Sequence, residues 1–118
     1  GSAYALPLTE RTMDLVLCVN TIHHLEDPLP FLNEVARVLK DAGTFVMVDL
    51  RRDSSKPLAT FFNLLWHLLI REERAREGLW KSLKASFTLD ECNKLLQRSA
   101  LPRWRIYPQA IEMWIESY

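Results

Sequence analysis

The side chains able to do chemistry gather around one stretch, Thr21-Ile22-His23-His24-Leu25-Glu26-Asp27, with Asn20 before it and Asp49 at the end of the next apolar run. Imidazole and carboxylate are the donor types of metal sites and of proton transfer. Adjacent residues point in different directions, however, and no second His/Cys/Asp/Glu cluster completes a coordination set, so no metal is expected. His24 reads first as a hydrogen-bonded structural histidine. Asp49 reads either as a loop cap or as a residue facing a ligand at a strand end. Cys18 and Cys92 each sit inside an apolar pattern and read as small core residues. No Ser/His/Asp or Cys/His set suggests nucleophilic catalysis.

Composition narrows the classes. The 118 residues are 48% hydrophobic and 25% charged, ordinary values for one globular domain. Fifteen basic and fifteen acidic side chains cancel, leaving no net field to favour nucleic acid or an anionic membrane. The longest apolar run, Leu58 to Ile70, falls short of the ~20 residues that cross a bilayer, and no basic-then-apolar leader opens the chain. A cytoplasmic protein is the default expectation. The two cysteines fit a reducing compartment without excluding a single disulfide. Only three glycines are present, Gly1, Gly43 and Gly78. A phosphate or dinucleotide loop needs several within a few residues, so these residues do not supply one.

The elements that would position the chemistry can be read in order. Residues 1–12 form an approach loop. Leu15-Val16-Leu17-Cys18-Val19 is an unbroken apolar run, as in a parallel strand covered on both faces, and Asn20-Thr21 end it. Asp27 can cap a helix whose first position suits Pro28. Leu32, Val35, Ala36 and Leu39 form its core stripe. Gly43 is placed to end it with a left-handed residue, and Thr44 to Val48 make a second buried strand. Two such strands joined by a helix form a βαβ unit over residues 13–49, with parallel strands and a right-handed crossover.

Beyond a polar loop, residues 58–80 read as a helical insertion. Its polar positions Thr60, Asn63 and His67 share one stripe, and Phe61, Phe62, Leu64, Leu65, Trp66, Leu68 and Leu69 demand cover elsewhere. Glu72 and Arg76 are spaced to pair on a solvated face. Thr88-Leu89-Asp90-Glu91 is a capping box, with Phe87 and Cys92 as its hydrophobic staple. Alternation on either side of Pro108-Gln109-Ala110 predicts an antiparallel hairpin with Arg103 or Arg105 facing Glu112 or Glu116. Residues 88–118 are thus a helix and a β-hairpin, and the whole chain is one domain. Glu34 and Arg37 are expected to pair on the first helix.

Ala3-Tyr4-Ala5-Leu6-Pro7-Leu8, Met13-Asp14-Leu15-Val16, Ile22-His23-His24-Leu25 and Glu34-Val35-Ala36-Arg37-Val38-Leu39-Lys40 with Gly43 together resemble class I S-adenosylmethionine-dependent methyltransferases, most closely the small-molecule branch of ubiquinone and menaquinone type. The resemblance spans the chain but only the C-terminal half of that family's domain. It implies an α/β, partial Rossmann-like fold: parallel strands, a crossover helix and a C-terminal antiparallel hairpin. It implies S-adenosylmethionine as cofactor, with Ser2 and Ala3 near the adenine, Asn20 and Thr21 near the methionine portion, and His24 near the reaction centre. Where the family usually has an aspartate beside the adenine this chain has Ser2, and the glycine-loop strand and the acidic ribose-binding strand are missing from these residues.

Two functions follow as expectations. One is methyl transfer to a small-molecule acceptor, as the C-terminal part of an enzyme that is inactive in isolation. The other is a non-catalytic, truncated module that self-associates or binds a partner. In the family the strand matching Leu15–Val19 pairs with the glycine-loop strand, so here its edge and flanking faces would be free to pair with a copy of itself or with a missing N-terminal half. Nucleic acid and membrane are not expected partners.

Overall fold

Strand β1, Met13–Val19, and strand β2, Leu39–Leu50, pair in parallel, from Leu15 opposite Thr44 to Val19 opposite Val48. A parallel pair needs a crossover, and the residues between them supply it as a short 3-10 turn, Ile22–His24, and helix α1, Pro28–Val38. The computed structural model describes residues 2–53, 56–69 and 81–117.

Asp27 caps α1 as expected, its carboxylate accepting the Leu29 N–H at 3.2 Å, with Pro28 at the first helical position. Phe31, Leu32, Val35 and Val38 are buried along one face. The end of the helix differs from expectation. Gly43 is not its left-handed terminator; Leu39 closes the helix by turning extended while its N–H bonds Val35 O. The chain is already strand at Leu39, and Lys40–Gly43 bulge out between the pairs Met13–Leu39 and Leu15–Thr44. What Gly43 provides is room: a Cβ there would lie 2.9 Å from the Leu39 side chain.

The hairpin joins the same sheet. Strand β3, Trp104–Gln109, pairs antiparallel with strand β4, Glu112–Ser117, and β4 pairs antiparallel with β2, giving the order β1-β2-β4-β3. Pro108 and Gln109 belong to β3, and the turn falls at Ala110-Ile111 with Ala110 at φ 56°. Proline fits because β3 is an edge strand, with one side owing no ladder bond. Arg105 pairs with Glu116 at 3.0 Å, one of the pairings the alternation allowed.

Beyond these lie helix α2, Lys56–Leu69, a short helical stretch over residues 81–85, and helix α3, Leu89–Arg98. The Thr88–Glu91 capping box that starts α3 is formed in both directions, and Phe87 and Cys92 share one core cluster. That cluster fills the sheet face under α1 and α3, where Phe45, Met47, Met113 and Ile115 meet Leu32, Val35 and Leu96. A smaller cluster of Leu50, Ala59, Leu83 and Ile111 lies apart from it.

β1 is covered on one face, between the two-sided cover that its apolar run suggested and the two free faces expected of a strand without its neighbour. Val16 and Cys18 turn into the main core, whereas Leu15, Leu17 and Val19 are 59%, 66% and 52% exposed. On α2, Phe61, Leu64, Leu65, Leu68 and Leu69 are also exposed, so among the described residues this helix lacks the cover its composition demands. The side chains of Phe62, Asn63, Trp66 and His67 and the expected Glu72–Arg76 pair lie outside the described residues. No described helix is long and apolar enough to cross a membrane.

Candidate active site

Parallel strands deliver their carboxyl ends to the same edge of the sheet, and that edge is where open α/β sheets take ligands. Here it carries Asn20 and Thr21 after β1, and Asp49 near the end of β2. Asn20 adopts φ 51°, a left-handed conformation that asparagine tolerates. Its N–H donates to Val48 O at 2.8 Å, extending the β1–β2 ladder by one bond before the chain turns away. Thr21 Oγ1 donates to Val19 O at 3.1 Å, and Thr21 O accepts the His24 N–H at 3.0 Å, closing the 3-10 turn.

That turn drives His23 inward. His23 and Asp49 are 8% and 1% exposed, and His23 Nδ1 lies 2.5 Å from Asp49 Oδ1. The carboxylate also accepts the Leu50 N–H on Oδ1 at 2.8 Å and the His23 N–H on Oδ2 at 3.3 Å. Two backbone donors make Asp49 an acceptor, so the shared proton belongs on His23 Nδ1. His23 Nε2, on the far side of the ring, is buried with no hydrogen-bond partner among the described residues. The exposed ring of His24 rests against the His23 ring, centroids 4.0 Å apart and planes tilted by 41°.

Burial dominates the two nearby thiols. It raises Cys18 above its ordinary value, partly offset by a hydrogen bond with Thr21 and reinforced by the Asp49 charge. It pushes Cys92 up to about 12, again with Asp49 adding to the effect. Both cysteines are therefore neutral and free, consistent with small core residues, and no disulfide joins them.

The expected cofactor residues fall in two places. Asn20 and Thr21 stand at the strand-end edge with His24. Ser2 lies in the approach loop, bridged to Ala5, where its Oγ accepts the Tyr4 N–H at 3.1 Å; Ala3 packs on the main core. Among the described residues no hydrogen bond joins Ser2 to the Asn20–His24 turn. The loop is instead held to α1 by Glu34 and Arg37. Glu34 accepts the Leu6 N–H and the Arg37 guanidinium, and Arg37 also donates to Leu6 O and Leu8 O.

The His23–Asp49 pair is what reasoning from sequence missed. Each residue drew attention separately, but the link between positions 26 apart comes only from parallel pairing that sets both strand ends side by side. Among the described residues no group of three or more His, Cys, Asp or Glu could hold a metal ion. A concavity of about 630 Å³ lined by Arg11, Lys40, Asp41 and Arg103 opens beside the amino end of β2, far from this chemistry.

Residues 1–47 match a family model described as a methyltransferase domain. An uncharacterized methyltransferase of Bacillus subtilis, YcgJ, is 29% identical over 116 residues, 98% of this chain and 44% of its own length. Among solved structures, an S-adenosylmethionine-dependent methyltransferase from Aquifex aeolicus aligns with TM-score 0.66 at 16% identity, over 98% of this chain and 50% of that one. Another from Thermotoga maritima gives 0.67 at 20% identity, over 98% and 60%. The chain resembles class I S-adenosylmethionine-dependent methyltransferases and shares their fold. It spans less than half the length of the Bacillus relative. S-adenosylmethionine is the cofactor that the resemblance implies.

Proposed function

We propose that the chain takes part in S-adenosylmethionine-dependent methyl transfer to a small-molecule acceptor, as the C-terminal part of a methyltransferase, and that it is inactive alone. The observation carrying this reading is the strand-end edge, where Asn20, Thr21, His23, His24 and Asp49 converge on a fold shared with such enzymes. Asn20 and Thr21 would hold the methionine portion, and Ser2 and Ala3 the adenine. Their fit is partial. Asn20, exposed and left-handed at the strand end, leaves its side chain free to meet a ligand, whereas Ser2 Oγ is already engaged by Tyr4. When bound, the cofactor supplies a methyl group made electrophilic by its sulfonium. The chain's own residues then need only orient the acceptor, exclude water and receive a proton.

Calorimetry with S-adenosylhomocysteine tests the reading. The product of the whole reading frame containing these residues should bind it saturably, and the 118 residues alone should not do so even at millimolar ligand. Absence of binding by both would sink the methyltransferase reading.

A second reading, a non-catalytic module acting through dimerisation or a partner, is favoured by one observation. Among the described residues β1 is a sheet edge, and its Leu15, Leu17 and Val19 are exposed. An open ladder edge beside an apolar face is a template for strand pairing. Light scattering at micromolar concentration tests it: a dimer supports pairing through β1, and a monomer removes the self-association branch.

A further inference from the structure

The amino edge of the sheet, at the end away from Asn20–His24 and Asp49, carries a concavity of about 630 Å³. That volume lies within the roughly 300–1,000 Å³ of small-molecule sites. Three chain connections meet there. The approach loop brings Arg11, the junction of α1 and β2 brings Lys40 to Thr44, and the connection after α3 brings Ala100 and Arg103. The end of β4 adds Ser117, set beside Phe45 because β4 runs antiparallel to β2. The bulge opens the space, since Lys40–Gly43 carry no registered partner on β1.

The lining is apolar in part, with Leu39, Phe45 and Pro102, and cationic in part. Arg11, Lys40 and Arg103 share the concavity with a single lining carboxylate, Asp41. Arg11 reaches Asp41 only at 3.9 Å, and Lys40 is drawn to Asp14 at 3.0 Å. Both pairs are solvent-exposed, so they are weak and readily exchanged for a better anion. Arg103 has no hydrogen bond or ion pair among the described residues. Ser117 Oγ accepts the Phe45 N–H at 3.1 Å, which leaves its own proton to donate. The carboxyl ends of α1 and α3 also lead to this edge, and bare carbonyls there would repel an anion. Arg37 O, Val38 O and Leu96 O, however, already accept the N–H groups of Arg11, Thr12 and Ser99. Arg11 and Arg103 both hold left-handed backbone, at φ 53° and 48°. Residues other than glycine seldom adopt it, and such conformations gather at ligand clamps.

We propose that this concavity binds a small phosphomonoester. The Arg11 and Arg103 guanidinium groups hold the phosphate oxygens, Lys40 balances its second charge, Ser117 donates its hydroxyl proton, and the apolar lining receives the attached ring or short chain. A phosphomonoester suits the site better than a carboxylate does. Near neutral pH it approaches a dianion with three strong acceptor oxygens, and guanidinium forks match that geometry. The site goes beyond the methyltransferase reading and does not depend on it. The two places lie at opposite ends of β2, so their ligands do not compete.

Phenyl phosphate titrated into the 118-residue chain, followed by amide proton–nitrogen spectra, tests the proposal. The Gly43, Thr44 and Arg103 amides should shift saturably, while those of Asn20 and Thr21 stay still. Inorganic phosphate should bind at the same place more weakly, because it leaves the apolar lining unused, and phenol should not bind. Arg103→Gln should weaken phenyl phosphate about tenfold, the worth of one charge-assisted hydrogen bond. Arg103 is exposed and holds nothing else among the described residues, so the rest of the spectrum should be unchanged. Arg98→Gln removes the same charge from the exposed end of α3, outside the concavity, and should leave the affinity as it was. Still amides at Gly43 and Thr44, equal weakening by the two variants, or phenol binding as well as phenyl phosphate overturns the proposal. The S-adenosylhomocysteine titration reports on methyl transfer separately, and either result can fail while the other holds.

Discussion

Glu34 shows how one side chain ties a loop to a helix. Its carboxylate takes the Arg37 guanidinium and the Leu6 N–H, and these hydrogen bonds hold it down to about 2 from an ordinary 4.5. A carboxyl group lowered in the fold contributes stability that is complete above its unfolded value and disappears as pH falls through the folded one. The tie should therefore weaken from pH 4.5 and be gone below about 2. The Leu6 amide resonance should follow that window and show no such step in Glu34→Gln. Cys92 works in the opposite direction. Raised by burial from 9.0 to about 12, its thiol favours the fold below pH 9.0, and that contribution is lost as pH climbs through about 12. Iodoacetamide at neutral pH should leave Cys92 unlabelled until urea unfolds the chain, because the thiolate is the reacting form. The Glu34–Arg37 pair was legible because helical spacing is local. Its reach to Leu6 and Leu8 was not, nor was the grip of Asp49 on His23, since both join segments far apart in sequence.

Among the elements, those with chemically marked ends were read best. Asp27-Pro28 and the Thr88–Glu91 box state where a helix begins, because orphan N–H groups need those acceptors. Helix α3 depends on its box. Thr88 Oγ1 accepts the Glu91 N–H at 3.1 Å and Glu91 returns a bond to the Thr88 N–H at 2.9 Å. Thr88→Ala should lower stability by roughly 1 kcal/mol, seen as a lower urea midpoint at unchanged slope. Ends without such marks were misplaced. Gly43 looked like a helix stop, but pairing of Leu39 with Met13 pulls the chain into β2 four residues earlier. Pro108 looked like a turn residue, but an edge strand accommodates it and the turn moves to Ala110-Ile111. In each case a tertiary pairing overrode a local preference.

Among the described residues, the two outer strands of the sheet, β3 and β1, differ in character. β3 closes one edge with Pro108 and the Arg105–Glu116 pair, features that discourage further strands. β1 has no proline, and beyond the Asp14–Lys40 pair at its amino end its outward residues are leucine and valine. Burying three such side chains stabilises an association by about 1.5–3 kcal/mol each at most, before the cost of bringing two bodies together. The apolar face is thus sufficient for a weak complex, and ladder hydrogen bonds along β1 would give it register. A charge at the middle of the stripe distinguishes this from incidental exposure. Leu17, 66% exposed, makes little of the core, so Leu17→Lys should leave the circular dichroism spectrum and urea midpoint essentially unchanged. Light scattering should then show the dimer replaced by monomer, because two lysines would face each other across the new strand pair. Val16→Lys is the contrast. Val16 packs against the main core, so charge there should unfold the chain and leave no folded species to associate. If Leu17→Lys dimerises as the unmutated chain does, association does not pass through β1, and the bare face of α2 around Leu64 and Leu68 becomes the surface to change next.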